Sequence, residues 1–294
     1  MLDGMDPVAL DSPTAVAQAL DGVGYLPDRG LATAAFLAVR MRRPLFLEGD
    51  PGVGKTALAQ ALAAITGSTL VRLQCYEGID ARQALYDWDF ARQMLHLRAA
   101  GDGGDRAALE ASLYDRRFLI ARPILQALET SPSALLIDEI DRADDEFEAF
   151  LLEVLAEASV TIPELGTIRA DEPPLVVITS NRTREVHDAL KRRCLYHWVA
   201  HPDFTREVAV VRRRVPEAAE QLVREAASAV ARLRELGLVK PPGIAETIDW
   251  TQALHVLGAT RLDADTAEQT LGAVLKYHED VARVQRELDT LLGG

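Results

Sequence analysis

Five short apolar runs punctuate the first part of the chain, and helical spacing dominates its end. Pro44-Leu45-Phe46-Leu47-Glu48 is bounded by Pro and Gly and reads as a buried strand. Thr69 to Gln74, Ala134 to Asp138, Leu175 to Asn181 and Leu195 to Val199 read the same way. Between them the pattern turns helical. Ser12-Pro13-Thr14 opens a capped helix, Asp28 to Met41 predicts another, and Ala57 to Ala64 consists of strong helix formers. Ala84 to Arg98 also has helix-like spacing; its apolar face, with Trp88, reads as core, with a partner surface as the alternative. Asp141 to Ala158 places Phe147, Phe150, Leu151, Val154 and Leu155 at i, i+3, i+4, i+7 and i+8 on one face. Ser159 to Ile168 predicts a hairpin around Pro-Glu-Leu-Gly.

Beyond His201-Pro202-Asp203 no strand is predicted. Phe204–Val215, Glu217–Leu236, Asp249–Gly258 and Thr266–Leu292 all have helical spacing, and Lys240-Pro241-Pro242-Gly243 reads as a rigid turn. The expected organisation is an α/β domain over residues 1–203 and a helical domain over 204–294. Gly101 to Asp105 is expected to be a flexible break. His197 and His201 fall on a strand and its exit, share no face, and read as structural.

The chemistry sits at the strand ends. After the first strand comes Gly49-Asp50-Pro51-Gly52-Val53-Gly54-Lys55-Thr56, with Ala57 next, a full match to the G-x-x-x-x-G-K-[ST] phosphate loop. Glycines let the backbone curl around an anion, and the curled N–H groups and following helix N-terminus point at phosphate oxygens. Lys55 would sit on the β- and γ-phosphates of ATP, and the Thr56 hydroxyl would hold Mg²⁺. Asp138 and Glu139 end another apolar run: Asp138 suits Mg²⁺, and Glu139 suits a general base polarising water. Asn181 can orient that water or bind the γ-phosphate. Arg192 and Arg193, closing a short helix that starts at His187, could complete a neighbour's site, with a solvated basic turn as the alternative. The loop Gly22 to Leu26 could lie against a base or simply join two helices.

Net charge of −13 argues against bulk nucleic-acid binding, which needs a basic surface. No apolar run approaches the ~18–20 residues of a membrane span. The acidic start, Met1 to Asp6, lacks signal-peptide character, and Cys75 and Cys194 lack metal spacing. A cytoplasmic protein with reduced thiols is expected.

Together these residues resemble the MoxR family of AAA+ ATPases over nearly the whole chain. The carriers are Pro44 to Gly49 running into the phosphate loop, Ile137-Asp138-Glu139-Ile140-Asp141-Arg142, and Ile178-Thr179-Ser180-Asn181. Gln74-Cys75-Tyr76-Glu77-Gly78, Tyr86-Asp87-Trp88-Asp89, Lys191 to Tyr196 and Ala245 to Trp250 look like the branch associated with maturation of carbon-monoxide dehydrogenase-type molybdenum hydroxylases. The first and third of these also look like the accessory ATPases of Rubisco and nitric-oxide reductase. The resemblance implies a five-stranded parallel sheet flanked by helices, a helical lid, and a hexameric ring with ATP at a subunit boundary. By position Lys55 and Thr56 would be Walker A, Asp138 and Glu139 Walker B, Asn181 sensor 1, and Arg192 or Arg193 the finger acting in trans. Ser159 to Ile168 would be the hairpin before sensor 1, and Ala84 to Arg98 would lie in an insertion near the pore. A separate von Willebrand A-domain partner and a client metalloenzyme are also implied. In one departure from the family pattern, the stretch expected to carry a second sensor arginine reads Ala245-Glu246-Thr247-Ile248. The expected function is Mg²⁺-dependent ATP hydrolysis driving cofactor maturation of a client. The alternatives are an activase for Rubisco or nitric-oxide reductase, a nucleotide-gated scaffold, and a nucleic-acid motor.

Overall fold

The computed structural model describes residues 10–100 and 106–292. Its elements are α1 (Pro13–Gly22), α2 (Arg29–Met41), β1 (Leu45–Glu48), α3 (Lys55–Ile65), β2 (Thr69–Gln74), α4 (Ala81–Leu85), β3 (Tyr86–Trp88), α5 (Phe90–Ala100) and α6 (Arg106–Ser112). Then come β4 (Leu119–Ala121), α7 (Pro123–Glu129), β5 (Ser133–Asp138), α8 (Asp145–Glu157), β6 (Ser159–Ile162), β7 (Gly166–Arg169), β8 (Leu175–Ser180), α9 (Asp188–Arg193) and β9 (Leu195–Trp198). The chain ends in helices α10 (Phe204–Arg214), α11 (Glu220–Glu235), α12 (Ile244–Val256), α13 (Ala264–Val274) and α14 (His278–Leu292). The predicted break at Gly101 to Asp105 lies outside the described residues.

The chain divides into two compact units. The first takes the described residues up to Val23, then Pro27–Glu48 and Thr56–His197. It is built on one five-stranded parallel sheet in the order β2-β5-β8-β1-β9. Strands β1 and β5 are buried at every position, as a parallel sheet covered on both faces requires. Register brings the carboxyl ends level, with Glu48 opposite Ser180 and Gln74 opposite Asp138. In open α/β sheets this edge is where ligands bind. Phe46, Leu135, Ile137, Phe147, Leu151 and Ile178 form the centre of the core.

The second unit holds Gly24–Leu26, Gly49–Lys55 and the chain from Trp198 onward. Its helices close around Trp250, which is 1% exposed and donates from Nε1 to Thr270 Oγ1 at 2.7 Å. A buried ion pair, Arg234 with Glu207 at 2.7 Å, is completed by the Thr247 hydroxyl at 2.7 Å from the same carboxylate.

Three helix predictions are corrected. Ala84 to Arg98 is not one helix: Tyr86–Trp88 leaves it to pair antiparallel with Leu119–Ala121, and Asp89 then restarts a helix by accepting from Arg92 N. Aromatic residues suit a strand, and the partner strand lies too far along the chain for local spacing to reveal it. The face splits accordingly: Leu85 and Trp88 are buried, while Phe90, Met94 and Leu95 are exposed. Asp141 to Ala158 begins as a single 3-10 turn, and α8 starts only after Asp144 caps it by accepting from Phe147 N. Thr266 to Leu292 breaks at Leu275, which is extended and 2% exposed. Apolar residues keep the same period on both sides, so the turn into the core left no breaker in the sequence. In addition, α12 starts earlier than Asp249, because Glu246 accepts from Gly243 N at 2.9 Å and closes its first turn. Among the described residues no helix is long and apolar enough to cross a membrane.

Cys75 and Cys194 are both buried and free. Burial, reinforced at Cys75 by the carboxylates of Asp138 and Asp141, pushes both thiols up to about 12. Both should therefore resist iodoacetamide at pH 8 in the folded protein and react once it is denatured, as mass spectrometry of the labelled chain would report.

Candidate functional site

Gly49 to Lys55 of the phosphate loop belong to the second unit, and Thr56 to the first. Gly52 and Gly54 have φ of +81° and +95°, the left-handed region that a side chain resists. Gly49 is required for a different reason: a Cβ there would lie 2.3 Å from the Val199 carbonyl oxygen. Lys55 is 6% exposed, and its ammonium donates to the carbonyls of Gly49 at 2.7 Å and Asp50 at 2.8 Å. The loop therefore winds around its own lysine. Tyr25 runs alongside, its ring 3.8 Å from where a Gly54 Cβ would stand. On another side stands the start of α12, with Ala245 N donating to Gly52 O at 3.4 Å. Glu246, at the position of the missing arginine, spends one carboxylate oxygen on Gly243 N. His201 approaches Asp50 at 3.4 Å.

The first unit gathers the carboxylates. Asp138 ends β5 with its side chain 4% exposed. Thr179 Oγ1 donates to its Oδ1 at 2.5 Å, and Thr56 Oγ1 lies 3.1 and 3.3 Å from its two oxygens. Arg72 donates to Oδ2 from Nε at 3.0 Å and from Nη2 at 2.6 Å. Thr56 and Asp138, paired in the sequence reading only by motif, are thus in contact. A hydroxyl and a carboxylate side by side are hard oxygen donors, the set Mg²⁺ takes when its other positions go to water and phosphate. Among the described residues no group of three or more His, Cys, Asp or Glu is arranged to hold a metal alone.

Glu139 follows in the left-handed conformation, φ 57°. Thr179 fixes that bend by accepting from Glu139 N at 2.9 Å with the same hydroxyl that donates to Asp138. The Glu139 carboxylate takes Asn181 Nδ2 at 3.2 Å, Gln74 Nε2 at 3.0 Å and Arg142 Nη1 at 3.1 Å. Asn181 is held in turn by Asp141, which is 2% exposed and accepts from Asn181 N and from both the backbone and hydroxyl of Thr183. Sequence reasoning missed Arg72, Gln74, Thr179 and Asp141. The available signal was a polar residue at the carboxyl end of an otherwise apolar strand, which holds for Thr179 in β8 but not for Gln74, whose strand also carries Thr69 and Arg72.

Arg192 and Arg193 stand apart from this cluster, at the end of α9. Arg193 is spent locally, donating to Leu152 O at 2.8 Å. Arg192 is 83% exposed, and its guanidinium lies 3.9 Å from Asp188. Arg43 pins the turn beneath them by donating to the carbonyls of Arg192, Arg193 and Cys194. Further along the same edge Glu48, 7% exposed, accepts from Tyr196 Oη at 2.8 Å and faces Lys191 at 3.6 Å and Arg182 at 3.7 Å.

A family model described as AAA domain (dynein-related subfamily) matches residues 44–194, just over half of the chain. Midasin of Giardia intestinalis is 52% identical over 48 residues, a match spanning 16% of this chain and 1% of midasin. Among solved structures, a mutant of Thermotoga maritima RuvB is 18% identical and covers 99% of this chain and 82% of its own, at a TM-score of 0.50. A second RuvB structure from Thermotoga maritima, described as a Holliday junction branch migration motor, is 17% identical at a TM-score of 0.48, covering 90% and 76%. The likeness to RuvB is one of fold.

His201 gives this region a pH dependence. Burial, with the charge of Arg234, lowers its pKa below the usual 6.5, against the opposite pull of Asp50, Glu207 and Glu246. The unfolded chain then takes up a proton that the folded chain resists, so stability is full above pH 6.5 and falls as pH drops through that value. His201→Gln should flatten the decline in melting temperature between pH 7.5 and about pH 5.5, as calorimetry across that range would measure.

Proposed function

The chain belongs to the dynein-related subfamily of AAA domains, and we propose that it uses Mg²⁺-dependent ATP hydrolysis to remodel a client metalloenzyme during cofactor maturation. It is an ATP hydrolase of the AAA+ fold. The observation that carries the proposed mechanism is the convergence of Thr56 on Asp138 at 3.1 Å and of Asn181 on Glu139 at 3.2 Å. In this reading the loop from Gly49 to Ala57 binds the phosphates and Lys55 pairs with the β- and γ-oxygens. Thr56 and Asp138 would hold Mg²⁺, whose charge would offset the negative charge of the transferring phosphoryl group. Glu139 polarises the attacking water, and Asn181 fixes the carboxylate and that water together.

The assembled form is a ring, hexameric by family resemblance, working in the cytoplasm. Arg192 is its trans-acting finger. The 83% exposure of Arg192 supports this choice, as does the bond from Arg193 to Leu152 O, which ties Arg193 to α8. The client reading rests on Gln74 to Gly78, Tyr86 to Asp89, Lys191 to Tyr196 and Ala245 to Trp250. It is supported by the exposed apolar side chains of Phe90, Met94 and Leu95 in the inserted segment. A molybdenum hydroxylase of the carbon-monoxide dehydrogenase type is the proposed client, with a separate von Willebrand A-domain protein as adaptor. The acidic net charge of −13 weighs against a nucleic-acid motor.

Glu139→Gln should still bind ATP but hydrolyse it about 10²–10⁴-fold more slowly, the usual worth of a general base. With purified apo-hydroxylase, adaptor and ATP, the wild type should raise client activity and this variant should not. Unchanged hydrolysis would remove Glu139 from the mechanism, and hydrolysis without client activation would remove the client.

Arg192→Ala should abolish turnover while Arg193→Ala keeps more of it. Mixing Arg192→Ala with Lys55→Ala should restore part of the ATPase rate, because a mixed ring contains sites with an intact loop facing an intact finger. No recovery in rings shown by native mass spectrometry to be mixed would count against a shared site.

A further inference from the structure

We propose that Arg72 is a built-in counter-ion for Asp138 which gives way to a divalent cation, and so sets how much cation the nucleotide site requires. This rests on the reading of Asp138 as a metal-holding carboxylate. Asp138 is buried, and a carboxylate in that setting needs a cation or several hydrogen-bond donors against it. Its Oδ1 receives the Thr179 hydroxyl at 2.5 Å, while Oδ2 receives both Nε and Nη2 of Arg72, at 3.0 and 2.6 Å. The guanidinium therefore occupies lone pairs that a Mg²⁺ ion beside Thr56 would use.

The two partners differ in their surroundings. Asp138 is 4% exposed, but Arg72 is 52% exposed, so its head can swing into water with little change in solvation. Two cations on one carboxylate repel, so Arg72 and a divalent ion weaken each other. Arg72 comes from β2, where it lies opposite Leu136 of β5, two residues before the Gln74–Asp138 pair and so on the same side of the strand. From there it also donates to Gln74 Oε1 at 2.5 Å, and Gln74 donates to Glu139 Oε2 at 3.0 Å. Displacing Arg72 at Asp138 thus loosens one of the donors that hold Glu139, linking cation arrival to the residue that handles water.

The test measures cation binding directly. Mn²⁺ uptake by the full chain with saturating ADP is followed by electron paramagnetic resonance for wild type, Arg72→Gln and Arg72→Lys. Arg72→Gln should bind Mn²⁺ about three- to tenfold more tightly, through loss of the competing charge, with Arg72→Lys in between. Melting temperature supplies the second measurement. Arg72→Gln should melt below wild type in EDTA, and Mg²⁺ with ADP should close that gap, whereas a purely structural arginine would leave the same deficit in both conditions. Equal or weaker Mn²⁺ binding in Arg72→Gln, or an unchanged deficit, overturns the proposal. Failure of the wild type itself to take up Mn²⁺ with ADP would overturn the metal role of Asp138 along with it, so the two failures are told apart by the wild-type curve.

Discussion

The carboxylate of Asp138 carries charge into a place that water barely reaches, and the surrounding unit is arranged to satisfy it. Thr56 reaches it from α3, Arg72 from β2 and Thr179 from β8. An uncompensated buried charge costs several kcal/mol, so these donors stabilise the fold around it. They meet only because three parallel strands share one register. A slip of one residue in β2 or β8 would turn Arg72 or Thr179 to the opposite face. The geometry of the candidate site and the sheet's alignment are therefore one constraint.

Glu139 extends the same logic. A non-glycine residue at φ 57° is strained, and the strain is tolerated where neighbours over-determine it. Here Thr179 holds its N–H, while Asn181, Gln74 and Arg142 hold its carboxylate. One threonine hydroxyl fixes both acids at the strand end, so their relative placement does not depend on the loop that follows.

The second unit solves a different problem. Its loop must present N–H groups to an anion, and the sharp curvature this demands is available only to glycine at Gly52 and Gly54. Contact with Val199, Tyr25 and the start of α12 supports that curl. Deeper in the unit, Arg234, Glu207 and Thr247 satisfy one another, which lets three helices share a buried polar centre.

Read alone, the sequence determined the α/β class and singled out the glycine loop, Thr56, Asp138, Glu139 and Asn181 as candidates, and the structure places Thr56 against Asp138 and Asn181 against Glu139. Each of these sequence signals is a local property: an apolar run of strand length, glycine at fixed spacing, or acids following a buried strand. Parallel strands buried on both faces have to be apolar, so polar residues at their ends stand out. The α5 region and the α13–α14 break were illegible because a distant partner strand and a turn into the core decided them, not local spacing. Arg72 and Gln74 looked like ordinary solvated residues, since only the register of β2 on β5 brings them to Asp138 and Glu139, and Asp141 was hidden because the turn after β5 folds it against Asn181 and Thr183. The difference between Arg192 and Arg193 was equally hidden. Adjacent residues of the same type are told apart only by what each side chain reaches, and Leu152 lies within reach of one of them.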